Sequence, residues 1–188
     1  ETLNTICRFI VESGGNRMAW IGLAELKEPK RVISVAQFGF DEGYLDTINI
    51  TWADEERGRG PVGTAIRTGQ PVIARNIATD PTFGPWREDA IKRGYASLVA
   101  LPFTGVEHTF GALSIYSAET DAFNEEEIAL MTQLADRLAF GIRAIHAQAG
   151  RTRAIAELSQ HREHLEQLVA ERTNELDGSD SHGLRPAV

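Results

Sequence analysis

The stretch from Gly58 to Phe103, GRGPVGTAIRTGQPVIARNIATDPTFGPWREDAIKRGYASLVALPF, constrains the fold most, because its glycines and prolines cut it into segments of fixed type. Gly60 suits a helix N-cap, Pro61 suits a first helical turn, and Gly69 followed by Pro71 stops the helix after about two turns. The run PVIAR then reads as a strand. Two prolines and Asp80 deny regular structure to Asn76–Pro85, Gly84 with Pro85 restarts a helix, and Gly94 closes it ahead of the apolar strand Ser97–Phe103.

The flanking segments supply the rest of a layered domain. Glu1–Glu12 carries Leu3, Ile6, Phe9 and Ile10 at helical spacing and is stopped by Ser13, Gly14 and Gly15. Arg17–Leu26 and Arg31–Phe40 are strand-like and separated by a turn containing Pro29, which predicts a hairpin. Thr109–Ala118 pairs with Ser97–Phe103 across the polar connection Thr104–His108. Together with PVIAR this predicts about five strands, mostly antiparallel, with helices at both ends of the sequence: an α+β architecture. Arg17–Leu26 and Thr109–Ala118, continuous in apolar character, are expected at the centre of the sheet, and the two terminal helices on one of its faces.

Asn124 and Glu127 form a capping box, Phe123 can staple onto Ile128, and Glu125 and Glu126 complement the helix dipole. From there Ile128, Met131, Ala135, Leu138, Ile142 and Ile145 recur at heptad spacing, and no proline interrupts the chain before Pro186. A helix continuous from Glu125 to Leu176 would be about 78 Å long and would project beyond its domain. Leu158, Leu165 and Leu168 keep a second apolar frame offset from the first, which predicts a register break or bend near Gly150. The expected organisation is a domain over 1–149, a helical coiled-coil linker over 150–176, and a disordered tail or cloning remnant over 177–188.

Composition narrows the partners. A chain of 188 residues holds one domain plus an appendage, and a core of about 150 residues buries about 68–70% of its unfolded surface without staples. A net charge of −8 disfavours nucleic acid and anionic lipid. The single Cys7 excludes an intrachain disulfide and fits a reducing, cytoplasmic setting. No stretch reaches the roughly 18 apolar residues of a membrane span, so direct membrane contact is not expected. With no starting Met and helix-like residues from Glu1, the chain reads as a fragment of a larger one.

Chemical motifs are sparse. Gly58, Gly60 and Gly63 spell G-x-G-x-x-G before a helix, but no buried strand precedes them and Pro61 removes a donor that a phosphate would use, so they read as turn and cap glycines. His161 and His164 share a helix face, yet no third ligand stands at metal spacing, and His108 falls in an exposed connection. SQHREHLEQL lacks the acidic residue after His and the downstream Pro of a kinase phosphoacceptor.

The Gly58–Phe103 run, with GALSIYSAETDAFNEEEIALMTQLADRLAFGI downstream, resembles a GAF domain, a small-ligand sensor module of bacterial signalling proteins. The resemblance covers residues 1 to about 150. It implies a PAS-related antiparallel sheet of five or six strands, helices on both faces and a long C-terminal helix. Methionine sulfoxide reductases of this fold need several cysteines, and bilin-binding members need one in mid-domain, so no catalytic residue, cofactor or metal is expected. No His falls in the segments likely to line a haem pocket, and the cyclic-nucleotide signature cannot be laid onto this chain. In this family two stretches cover one sheet face, and here they hold Trp52, Phe83, Trp86, Arg87, Ile91 and Tyr95. These residues, with Ser97, Ser114 and Tyr116 on the strands, are the expected small-molecule site, Arg87 selecting an anion. LEQLVAERTNEL resembles a connector to an output module of the same polypeptide, such as a histidine kinase, a diguanylate cyclase or a transcriptional activator. A homodimer through Ile142, Ile145, Leu158, Leu165 and Leu168 is expected. The alternative is a dimerisation and scaffold module with a filled core and no ligand.

Overall fold

The computed structural model describes residues 2–40 and 42–180, the side chains of Asp46 and of residues beyond Val169 apart. Five strands form one antiparallel sheet: β1 (Met18–Ala24), β2 (Val32–Gly39), β3 (Val72–Ala74), β4 (Ser97–Thr104) and β5 (Thr109–Ser117), in the order β2-β1-β5-β4-β3. The two hairpins form as expected, β1 and β5 lie side by side inside the sheet, and the three-residue β3 is an edge.

Alternation along the strands divides the core. Met18 and Trp20 of β1, Leu98 and Ala100 of β4, and Ala112 and Tyr116 of β5 face one side. Over them lie α2 (Tyr44–Thr47), α3 (Pro61–Thr68), a 3₁₀ turn (Pro81–Trp86) and α4 (Arg87–Lys92), whose Tyr44, Val62, Ile66, Phe83, Trp86 and Ala90 complete the cluster. The other face buries Ile21, Val99, Leu101 and Leu113. On that side α1 (Thr2–Gly14) packs across β1 and β2. The first turns of α5 (Glu125–Asp180) flank, with α1, a groove floored by Ile115.

Local chemistry accounts for the boundaries. Gly60 caps α3 in an extended conformation ahead of Pro61, and Gly69 ends it at φ 66°, its N–H donating to Ala65 O. The start of α5 is the predicted capping box: Glu127 N–H donates to Asn124 Oδ1 at 2.9 Å, and Asn124 N–H to Glu127 Oε2 at 3.0 Å.

Two readings are corrected. The segment before Trp86 is not irregular: Asp80 Oδ1 accepts from Thr82 N–H at 2.8 Å and starts a 3₁₀ turn from Pro81, so the α-helix begins at Arg87. A short helix, α2, arises where none was read, pinned by the buried Tyr44. α5 is helical through Gly150, where its apolar frame changes, since one glycine costs a helix only about 1 kcal/mol. Its backbone also stays helical past Leu176 to Asp180; residues 181–188, and with them most of the expected tail, lie outside the described residues.

Contact density divides the chain into two compact units, residues 1–141 and residues 142–188. In the second unit Ile142 is buried, and Ile145, Leu158, Leu165 and Leu168 are exposed.

Candidate functional site

The face roofed by α2, α3, the 3₁₀ turn and α4 gathers part of the expected site. Trp86, at the end of the 3₁₀ turn, lays its ring edge-on to Phe83 and donates its Nε1–H to Ile48 O at 2.6 Å. Tyr95 and Tyr116 stack with Tyr44 into a buried triad with ring centroids 4.6 to 5.9 Å apart. The Tyr95 hydroxyl donates to Phe40 O and lies 3.2 Å from Met18 Sδ. Burial, with the neighbouring Tyr116, holds the Tyr44 hydroxyl protonated far beyond its ordinary range. Ser114 sits between Ala112 and Tyr116 on the same face, as alternation requires.

At the Phe83–Trp86 end of this roof the space is small. A cavity of about 10 Å³ lies between Tyr44, Ile50, Pro61, Phe83, Trp86 and Tyr116, room for a single water. Four expected lining residues do not border this cavity. Trp52 packs half-buried against the edge of the core cluster, its Nε1–H donating to Glu25 O at 2.8 Å and Lys30 Nζ standing 5.0 Å over its ring. Arg87 ties down its own loop, donating from Nη2 to Asp80 O at 2.6 Å and from Nε to Ile77 O at 3.3 Å. Ile91 is half exposed on α4. Ser97 pairs in register with Ser117, which places it on the opposite sheet face, where its Oγ donates to Glu119 O at 2.7 Å.

One residue of the roofed face was not foreseen. Trp20 stands directly opposite Ser114 across the β1–β5 pair, and both are fully buried. Neither Trp20 Nε1 nor Ser114 Oγ has a hydrogen-bond partner. The alternation of MAWIGLA places Trp20 on a face, but its pairing with Ser114 depends on a register between strands about ninety residues apart, which local pattern cannot supply.

The G-x-G-x-x-G glycines serve close packing. A Cβ on Gly58 would stand 1.8 Å from Ala53 O, on Gly60 2.3 Å from the Trp86 ring, and on Gly63 2.2 Å from Gly58 O. The site is poor in reactive groups. Cys7, on α1, is buried and its thiol is pushed up to about 11 by that burial, which leaves little nucleophilic thiolate near neutral pH. Among the described residues no group of three His, Cys, Asp or Glu could hold a metal ion, and His108, His161 and His164 are exposed. No described helix is long and apolar enough to cross a membrane.

A GAF domain family model matches residues 1–143, three quarters of the chain and the whole of the sheet. The chain belongs to the GAF family. GAF domains are sensor and regulatory modules of signalling proteins, and the domain described above carries the family's sheet and its roofed face. Solved structures agree on the fold. The GAF domain of an Acinetobacter phosphoenolpyruvate-protein phosphotransferase superposes with a TM-score of 0.62 at 16% identity, over 79% of this chain and 84% of that one. A domain of a putative two-component sensor histidine kinase from Sinorhizobium meliloti gives 0.60 at 20% identity, over 80% and 94%. The type II free methionine-R-sulfoxide reductase of Thermoplasma acidophilum gives 0.59 at 18% identity, over 73% and 87%. No curated protein sequence matches the chain.

Proposed function

We propose that this GAF domain is a non-catalytic sensor that binds a small molecule on its roofed sheet face and passes the bound state through α5 to an output module of the same polypeptide. The observation that carries this reading is the facing pair Trp20 Nε1 and Ser114 Oγ, buried without partners. Each such group costs about 1–3 kcal/mol, and a donor and a hydroxyl together suit a polar ligand. The single, buried Cys7 supplies neither the reactive nor the resolving thiol of a sulfoxide reductase. The similarity to a putative sensor histidine kinase domain makes a two-component kinase the first choice of parent, with a cytoplasmic domain working as a homodimer through Ile145, Leu158, Leu165 and Leu168; Ile142, expected in this interface, is already buried within the single chain.

The second reading, a ligand-free scaffold, is favoured by the cavity of only about 10 Å³ beside Phe83 and Trp86. Thermal melts of the whole chain and of Ser114→Ala against a library of small polar metabolites separate the two. A ligand present at a hundred times its Kd adds about 2.7 kcal/mol of stability. The sensor reading expects Ser114→Ala to melt at or above the parent temperature while losing most of the ligand-induced rise. It fails if no compound raises the melting temperature, or if every rise is the same in both proteins.

A further inference from the structure

Resting on the sensor reading, we infer that the ligand is a flat organic carboxylate seated in a cleft at the β1–β2 end of the roofed face. The cleft has a volume of about 500 Å³, against about 10 Å³ at the Phe83–Trp86 end. It lies between the strands and the segment that crosses them from Leu45 to Thr51. Its floor is apolar, built by Trp20 and Val32 from the sheet and by Leu45, Ile48 and Ile50 from the crossing segment.

The rim has the opposite character. Arg31, Asn49 and Arg57 line it, and among the described residues no acidic side chain does, although Glu55 Oε1 accepts from the lining Thr51 Oγ1 at 2.9 Å. Arg31 is already matched, its Nε 3.0 Å from Glu25 Oε2. Arg57 is anchored by a hydrogen bond from Nη1 to Ile48 O at 3.1 Å, and no ion pair to it occurs among the described residues. Among the described residues the rim therefore offers one guanidinium, anchored on Ile48 O, that is not ion-paired. That matches a single carboxylate and leaves a phosphate dianion half neutralised. An apolar floor beneath one cation selects a ligand with a flat hydrocarbon body and one acidic end. Trp20 belongs to this floor, and its buried N–H has no acceptor among the described residues.

Naphthalene-2-carboxylate and its amide, equal in shape and different in charge, test this on the whole chain by calorimetry and by the indole N–H signals of the three tryptophans. The acid should bind at least about tenfold more tightly than the amide. The Trp20 signal, assigned by its loss in Trp20→Phe, should move, while those of Trp52 and Trp86, already bonded to Glu25 O and Ile48 O, stay in place. Arg57→Gln should abolish the preference for the acid, and Arg57→Lys, which keeps the charge, should retain most of it. Equal affinity for acid and amide, shifts confined to Trp86, no saturation by about 1 mM, or an unchanged preference in Arg57→Gln overturns the inference. If a metabolite still stabilises the protein through Ser114 while the naphthalene acid does not bind, the sensor reading stands and this one falls.

Discussion

Gly58, Gly60 and Gly63 show how single atoms set the path of the chain around the site. A methyl group on Gly63 would meet the carbonyl oxygens of Gly58 and Thr51 at 2.2 and 2.6 Å, both main-chain atoms with little freedom to yield. Gly63→Ala should therefore lower stability by about 2 kcal/mol, the overpacking cost outweighing the gain in helix propensity. A fall in melting temperature of about 4–8 °C is the expected reading, and an unchanged one would show that the turn relaxes. That these residues are turn and cap glycines is legible, because Pro61 and the helix that follows are local signals. What they press against is not. The same limit explains the serines: Ser97 and Ser114 look alike as strand hydroxyls, yet register sends one to each face. Arg87 looked like an anion anchor because charge is visible in sequence and direction is not; two loop carbonyls claim it.

Among the elements, those with local punctuation were legible and those held by distant contacts were not. The capping box at the start of α5 is written in Asn124 and Glu127 and forms as written. Asn124→Ala should cost about 1 kcal/mol and lower the melting temperature by about 2–4 °C, with no change in ligand affinity. A coincident loss of affinity would mean that the first turn of α5 also shapes the site. The hairpins and α3 were equally readable, from alternation and from the Gly-Pro start with its Gly stop. α2 was invisible because four residues carry no periodicity, and it exists through the burial of Tyr44 against Tyr95 and Tyr116. The 3₁₀ turn was hidden by its two prolines, which read as breakers until Asp80 is recognised as its cap.

For the whole molecule, oligomerisation is where energies decide. Leu158, Leu165 and Leu168 are 70%, 48% and 43% exposed in the single chain, and each would contribute about 1.5–3 kcal/mol on burial in a partner. Set against an association cost of about 4–15 kcal/mol, the three alone are marginal. Sedimentation of the full chain should show a dimer that truncation after Ala149 weakens or abolishes; a full chain monomeric at high concentration would remove this route of transmission. Fold and family were legible in the sequence because many weak local signals agreed, whereas the lining of the roofed face was only half legible because it is made where distant strands meet. The segment that bounds the cleft also lies along the outer strand of the sheet: Val32 N–H donates to Ile50 O at 2.9 Å, Trp52 N–H to Lys30 O at 2.9 Å, and Arg31 bridges to Thr51. These bonds occupy backbone groups that would otherwise be open to strands of other molecules. Any opening wide enough to break them would bare these groups to strand pairing between molecules, so the crossing segment also guards the sheet edge against self-association.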